Sequence, residues 1–353
     1  MQYVLKTLFT LCTACLALAD TQPIQINESW FTTEAAAENV DSIAVWDNRE
    51  GDVPWMLVTA KASHCLHVYD ASNGQFLKRV GGQGAFPGQL DRPNGLFVIN
   101  DLLLVVERDN QRVQVFKLPE FEPLTSFGQD VLIKPYGLWV QQLPSDPEEP
   151  NAELYQVFVT DNYEFAEGAR TADGEIPPAT ELGDRIRVFT LEREAGTAEG
   201  ELDFSFGDTS GPGMLRIVES IYGDPSHDHL IISEEDPIEG SSLKIYTLKG
   251  KFTGERIGQD VFKFQSEGIV LDTKNNWVIA TDQGKQANYF HAFDREIFKY
   301  IASFSGNYTL NTDGACLFPQ AIGPYAGGLF FAINNDKQVA AFDWDVVSLK
   351  IKE

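Results

Sequence analysis

Short apolar runs broken by polar turns dominate the chain, and the clearest example is Arg92–Phe116, RPNGLFVINDLLLVVERDNQRVQVF. A turn at Arg92-Pro93-Asn94-Gly95 leads into Leu96–Ile99, apolar enough for a buried strand, and Asn100-Asp101 turns the chain into a second run, Leu102–Val106. That run stops at three charges, Glu107, Arg108 and Asp109. A third, Val113–Phe116, alternates and closes on an aromatic. Runs of this length between turn signals predict an antiparallel β-meander. A lone meander has an apolar face to cover, so it needs neighbours of its own kind.

The sequence supplies them. The third-run signature recurs as HVYD ending at Asp70, QVFK at Lys117, RVFT at Thr190, KIYT at Thr247, HAFD at Asp294 and AAFD at Asp343. The intervals are mostly about fifty residues, the length of a four-stranded propeller blade. Length alone suits two domains. Six copies within residues 20–353 instead predict one all-β domain, a six-bladed β-propeller with four-stranded antiparallel blades. The first copy covers about Val40–Gly82, the fourth Met214–Gly258, the fifth Gln265–Gly306 and the sixth Asn311–Trp344. Pro23–Ile26 is expected to pair with the final copy and latch the ring. The third copy carries two insertions, Gln141–Glu153 and Tyr163–Asp184, of the kind that either covers a binding face or is merely tolerated.

Residues 1–19 read as a signal peptide, with Lys6 as the positive end, Leu8–Ala17 as the apolar stretch and Ala17-Leu18-Ala19 as the cleavage site. The stretch is too short for an anchor. The mature protein is therefore expected to be secreted or periplasmic, monomeric and not inserted in a membrane. Asn27-Glu28-Ser29 and Asn307-Tyr308-Thr309 carry the N-glycosylation pattern. Cys65 and Cys316 lie in the first and last copies, which ring closure brings together. An oxidising compartment permits a disulfide there, with two buried thiols as the preferred reading. A net charge of −25 excludes nucleic acid as a general partner and disfavours anionic lipid. Such an excess either solvates the surface or converges on cations.

Aligning the copies by their aromatic separates those two cases. Second runs end in the pairs Ala60-Lys61, Glu107-Arg108, Asp161-Asn162, Glu234-Glu235, Asp282-Gln283 and Asn334-Asn335. First runs begin at Asp41-Ser42, Asn94-Gly95, Tyr136-Gly137, Glu219-Ser220, Glu267-Gly268 and Asp313-Gly314. In an antiparallel blade both sets fall on one rim of the channel. Carboxylates crowded there repel unless a cation compensates, and hard oxygen ligands from several strands suit Ca²⁺. Asp41, Glu219, Glu267 and Asp313 are the first candidates, since Gly or Ser beside them leaves room. Asp161 and Asp282 are second candidates, with Glu234. Lys61 and Arg108, the basic members of the pairs, are placed either to hold an anion such as phosphate or to balance Glu107 and Asp109.

Other signals carry less. His227-Asp228-His229 falls in a hairpin turn remote from that rim, and His64, His67 and His291 read as packing residues. Gly81–Leu90 is glycine-rich, but no helix pattern follows it, so it is not a phosphate cradle. The chain has no Gly-x-Ser-x-Gly elbow and no Cys-x-x-Cys pair.

Several segments resemble the β-propeller phytases, calcium-dependent phosphatases of myo-inositol hexakisphosphate. SEGIVLDTKNNWVIATDQGKQANYFHAFDRE (266–296) is similar to that family's Glu-Gly-leading blade, and NTDGACLFPQAIGPYAGGLFFAINND (311–336) to its Thr-Asp-Gly segment. Glu219-Ser220 with the IISEED run, and NVDSIAVW (39–46), resemble two further family segments. The resemblance implies Asp41, Glu219, Glu267 and Asp313 as calcium ligands, Lys61 and Arg108 as substrate-binding bases, and Glu234 or Glu235 as an acidic active-site group. It implies a small phosphoester as substrate. The family's Asp-Asp-Pro has become Asp41-Ser42-Ile43, and its Asn-Asn-x-Asp has Gly95 and Phe97. Arg92–Phe116 also resembles NHL repeats, which implies a binding module without catalysis. A calcium-propeller lactonase, with one ion held by Glu, Asn and Asp, is a further alternative that Asn94 and Asn162 keep open.

Overall fold

Each apolar run becomes a strand whose neighbours in sequence are its neighbours in space, as hairpin connections dictate. The computed structural model describes residues 22–48, 51, 53–144, 151–163, 176–236 and 238–353. The expected signal peptide, and residues 145–150 and 164–175 of the two insertions, lie outside the described residues.

Six antiparallel sheets form the blades of one propeller. From the innermost strand outward, the first blade runs Val40–Trp46, Trp55–Ala60, Cys65–Asp70 and Phe76–Gly81. The second runs Pro93–Ile99, Leu102–Glu107, Arg112–Lys117 and Glu122–Phe127, and the third Pro135–Leu143, Glu153–Asp161, Ile186–Glu194 and Thr197–Phe206. The fourth is Val218–Asp224, His229–Glu234, Ser242–Tyr246 and Phe252–Ile257, and the fifth Gln265–Asp272, Trp277–Gln283, Tyr289–Asp294 and Tyr300–Gly306. The sixth has Ala315–Phe318, Leu329–Asn334 and Gln338–Asp343 from its own stretch. The innermost strand of each blade lies against that of the next, and the sixth against the first, so the ring is closed. Second and third strands are buried along nearly their whole length because both faces meet a neighbouring blade. This is why they read as continuous apolar runs and not as alternating ones.

The latch differs from the expected one. Trp30–Phe31, not Pro23–Ile26, supplies the missing outer strand of the sixth blade, pairing antiparallel with Ala340 and Ala341. Ile24–Ile26 instead adds a parallel fifth strand to the outside of the fifth blade, opposite Phe304–Gly306. Glu28 holds this segment down by accepting from the N–H groups of Tyr308 and Thr309 and the Thr309 hydroxyl. The Asn27 and Asn307 sequons meet there, side chain to side chain. A C-terminal helix, Trp344–Lys352, capped by Asp343, packs Trp344, Val347 and Ile351 over the fifth and sixth blades. Cys65 and Cys316 are free thiols. No helix among the described residues is long and apolar enough to cross a membrane.

Candidate functional site

The innermost strands of the first five blades start the same way. The ladder pairs Val40 with Ala60, Pro93 with Glu107, Pro135 with Asp161, Val218 with Glu234, and Ser266 with Asp282. Each pairing is followed by a register skip, so residues 41–42, 94–95, 136–137, 219–220 and 267–268 form β-bulges at one level of the ring. A bulge frees a side chain from the ladder and re-aims it. Hydroxyls on the second strands fix these bulges. Thr59 accepts from the Ser42 N–H at 2.9 Å, Thr160 from the Gly137 N–H at 2.7 Å, and Ser233 donates to the Glu267 carbonyl at 2.5 Å.

The small residue after each bulged position has a different reason from the one its sequence suggested. A Cβ on Gly95 would lie 2.7 Å from the Tyr136 carbonyl oxygen, on Gly137 2.5 Å from that of Glu219, and on Gly314 2.4 Å from that of Asp41. Glycine is required because the next blade's backbone passes there, not to make room for an ion. The same close approach draws the bulged side chains toward a single mouth of the channel.

That mouth gathers Asp41, Glu219, Glu267 and Asp313 around Tyr136, each from a different blade, with Asn94 at the matching bulge of the second blade. The Tyr136 hydroxyl, from the third blade, reaches Asp41 of the first at 3.2 Å, and Lys61 holds the same Asp41 oxygen at 2.6 Å. Asn162 donates to Glu219 across a blade boundary at 3.1 Å, and the carboxyl of Glu235 stands beside Glu267 and helps to raise it. Burial, then the neighbouring carboxylates, pushes Glu219, Glu267 and Asp313 well above the ordinary carboxylate range. Burial and the four acids Asp41, Glu219, Glu267 and Asp313 likewise raise the Tyr136 phenol. Burial works against the Lys61 ammonium, but Asp41 and Asp313 outweigh it and hold the proton on.

The chemistry of the donor set fits a divalent cation. Glu219 Oε2, Glu235 Oε1, Glu267 Oε2, Asp313 Oδ2 and both amide atoms of Asn94 are buried without a hydrogen-bond partner. Buried polar atoms are normally satisfied, and several hard oxygens left over at one place are what Ca²⁺ takes up. No three of the axial carboxylates bring oxygens within 4.8 Å of one another among the described residues. A cation held there would therefore need oxygens beyond any one cluster of these carboxylates, since Ca²⁺ takes 6–8. Below the mouth, the innermost strands of all six blades line a cavity of about 210 Å³.

The other predicted ring has a different job. Asp161 accepts from the N–H groups of Ile133 and Lys134, Glu234 from those of Arg216 and Ile217, and Asp282 from those of Lys263 and Phe264. Glu107 and Asn334 take the N–H groups of Asp91 and Leu310 in the same manner. These residues tie the loop entering each of blades two to six to that blade's second strand. Burial pushes Glu234 up to about 7, against the pull of Lys244 and the two backbone donors. Because side chains alternate along a strand, the first member of a pair faces the loop and the second is turned away from it. Lys61, Asn162 and Glu235 are channel-facing members. Arg108 is not brought to the acids, because its Nε donates to the adjacent Asp109 at 2.6 Å. The base whose charge is felt at Lys61 is Arg92, held in a left-handed conformation at φ 49° with its Nε buried and unpartnered. Arg92 and Tyr136 are the members sequence reasoning missed. Both sit at or beside the bulge level, which the alignment of copies marks.

His227 is bonded to Asp224 at 2.8 Å at the far end of the fourth blade's innermost strand. His291 is fixed between Asp282 and Ser303.

No family model matches the chain, and no curated protein does. Among solved structures, a chain of a nidogen/laminin complex superimposes with a TM-score of 0.51 at 13% identity, over 80% of this chain and 88% of that one. The Cps50 (Swd1) β-propeller domain of Myceliophteria thermophila gives 0.49 at 10% identity, over 90% and 99%. A likeness at such identity shows the propeller fold alone.

Proposed function

We propose that the protein is an exported, calcium-dependent hydrolase of phosphomonoesters resembling phytate, with Asp41, Glu219, Glu267 and Asp313 holding the cation at the channel mouth. The observation that carries this is the set of buried, unpartnered oxygens on Glu219, Glu267 and Asp313, contributed by separate blades; Asp41, whose oxygens accept from Lys61, Tyr136 and Ser42, joins the ion only by giving up one of those bonds. Asp161, Asp282 and Glu234 are left out of the ligand set because backbone donors occupy them. Bound calcium supplies the positive charge that lets a strongly acidic mouth accept a phosphate and polarises it. Lys61, kept protonated and aimed by Asp41, offers a point charge to the phosphate oxygens, and Arg92 offers a planar fork. Arg108 contributes only if it leaves Asp109.

A second reading is favoured by Asn94, whose amide is buried and unpartnered at the corresponding bulge of the second blade. Glu, Asn and Asp around one ion is the ligand set of calcium-propeller lactonases. Both readings are tested on one preparation by phosphate release from phytate and by lactone ring opening, with and without calcium chelation. Calcium-dependent phosphate release, abolished in Glu267→Gln, is the expected result. Lactone opening without phosphate release establishes the second reading. Neither activity in calcium-loaded protein overturns both in favour of a binding module.

A further inference from the structure

Independently of the channel mouth, the first blade carries a second cluster of ligand-type side chains. Glu38, Cys65 and His67 place one carboxylate oxygen, the thiol sulfur and a ring nitrogen within 4.8 Å of one another, the single such trio of acidic, His and Cys groups among the described residues. Cys65 and His67 are two apart on one strand and so share a face. Glu38 comes from the loop that enters the blade's innermost strand. Cys65 is fully buried and His67 nearly so.

The histidine is oriented as a ligand. Its Nδ1 meets the Tyr69 hydroxyl at 3.1 Å, which leaves Nε2 facing Glu38 Oε2 at 3.5 Å. That carboxylate oxygen is buried and has no hydrogen-bond partner. A hydrogen bond on the remote ring nitrogen is the usual support of a metal-bound imidazole. Arg79 lies against both Glu38 and His67, at 2.8 and 3.3 Å, but its side chain is 48% exposed and free to swing outward. Ser63 Oγ, 3.1 Å from the sulfur, borders the remaining side.

We infer that Glu38, Cys65 and His67 form a Zn²⁺ site with three protein ligands and one open position, in the seam where the first blade packs on the sixth. Thiolate and imidazole select a borderline-soft ion over calcium. Carboxylate, thiolate and imidazole on Zn²⁺ at about 2.0–2.3 Å require this set to close by a small inward movement. Burial pushes the Cys65 thiol up in the metal-free protein, so uptake of the ion releases a proton from sulfur.

The test is a Co²⁺ titration of the full chain in excess calcium, which occupies the mouth, followed by Zn²⁺ displacement. The expected result is one equivalent of Co²⁺ with a near-ultraviolet thiolate charge-transfer band, bleached by Zn²⁺. The band is absent in Cys65→Ser, and affinity is weakened roughly tenfold or more in His67→Gln and Glu38→Gln (~1.4 kcal/mol per decade). Unchanged thermal unfolding of metal-free Cys65→Ser shows that the fold is retained; if that variant is unstable, the Glu38→Gln titration decides. Absence of stoichiometric binding, a persisting band in Cys65→Ser, or binding without a thiolate band overturns the site.

Discussion

At the scale of single residues, two acids adjacent in sequence do opposite work. Glu234 is spent on the N–H groups of Arg216 and Ile217 and sits 3.8 Å from the buried Lys244. Glu235 turns to the channel and keeps an unpartnered oxygen. Replacing Glu234 by Ala strands two backbone donors and a buried ammonium, and is expected to cost about 2–4 kcal/mol in denaturant unfolding. Asp313→Asn removes repulsion and is expected to leave metal-free stability unchanged or slightly raised. Equal losses in the two variants would contradict the division of the acids into loop-holding and channel-facing groups. The pairs themselves were legible, since each closes an apolar run. Which member faces the loop was not, because that depends on the phase of the strand at its last residue. Arg108 illustrates the cost: it shares the alignment position of Lys61, yet Asp109 next to it captures its guanidinium.

At the scale of elements, the bulges aim the acids, and the glycines set how closely blades approach. Gly137 has no left-handed backbone, so its need for a hydrogen in place of Cβ comes from the Glu219 carbonyl alone. Gly137→Ala is expected to destabilise by about 1–3 kcal/mol through overpacking. Gly183→Ala, whose Cβ would meet only Thr209 Cγ2 at 3.8 Å, serves as the neutral control. Equal stabilities would show that the blades are free to slide and that the mouth is not rigidly built. Blade strands were legible because two-sided burial leaves long apolar runs. The latch was misplaced because Trp30–Phe31 is only two residues long, too short to show a period, while the longer apolar stretch Ile24–Ile26 drew the assignment. The C-terminal helix was passed over, although Asp343 is a capping residue and the buried Trp344, Val347, Ser348 and Ile351 recur at helical spacing.

At the scale of the whole molecule, a chain of net charge −25 folds with several carboxyls facing one another in a closed ring. Glu219, Glu267 and Asp313 hold protons more tightly folded than unfolded, since burial and mutual repulsion raise them. Without a cation, the folded state therefore loses stability as pH rises above the ordinary carboxylate range, through these raised values. On the proposed function, a divalent ion displaces those protons and is expected to reverse the loss. The measurement that bears most directly on the account is calorimetric titration of Ca²⁺ into the chelator-treated protein and its Asp313→Asn/Glu267→Gln variant, at about pH 5.5 and about pH 8. Saturable binding that tightens at the higher pH with release of protons, and weakens at least ~10-fold in the variant, is the predicted result. Binding indifferent to both substitutions, or no binding at either pH, would contradict it.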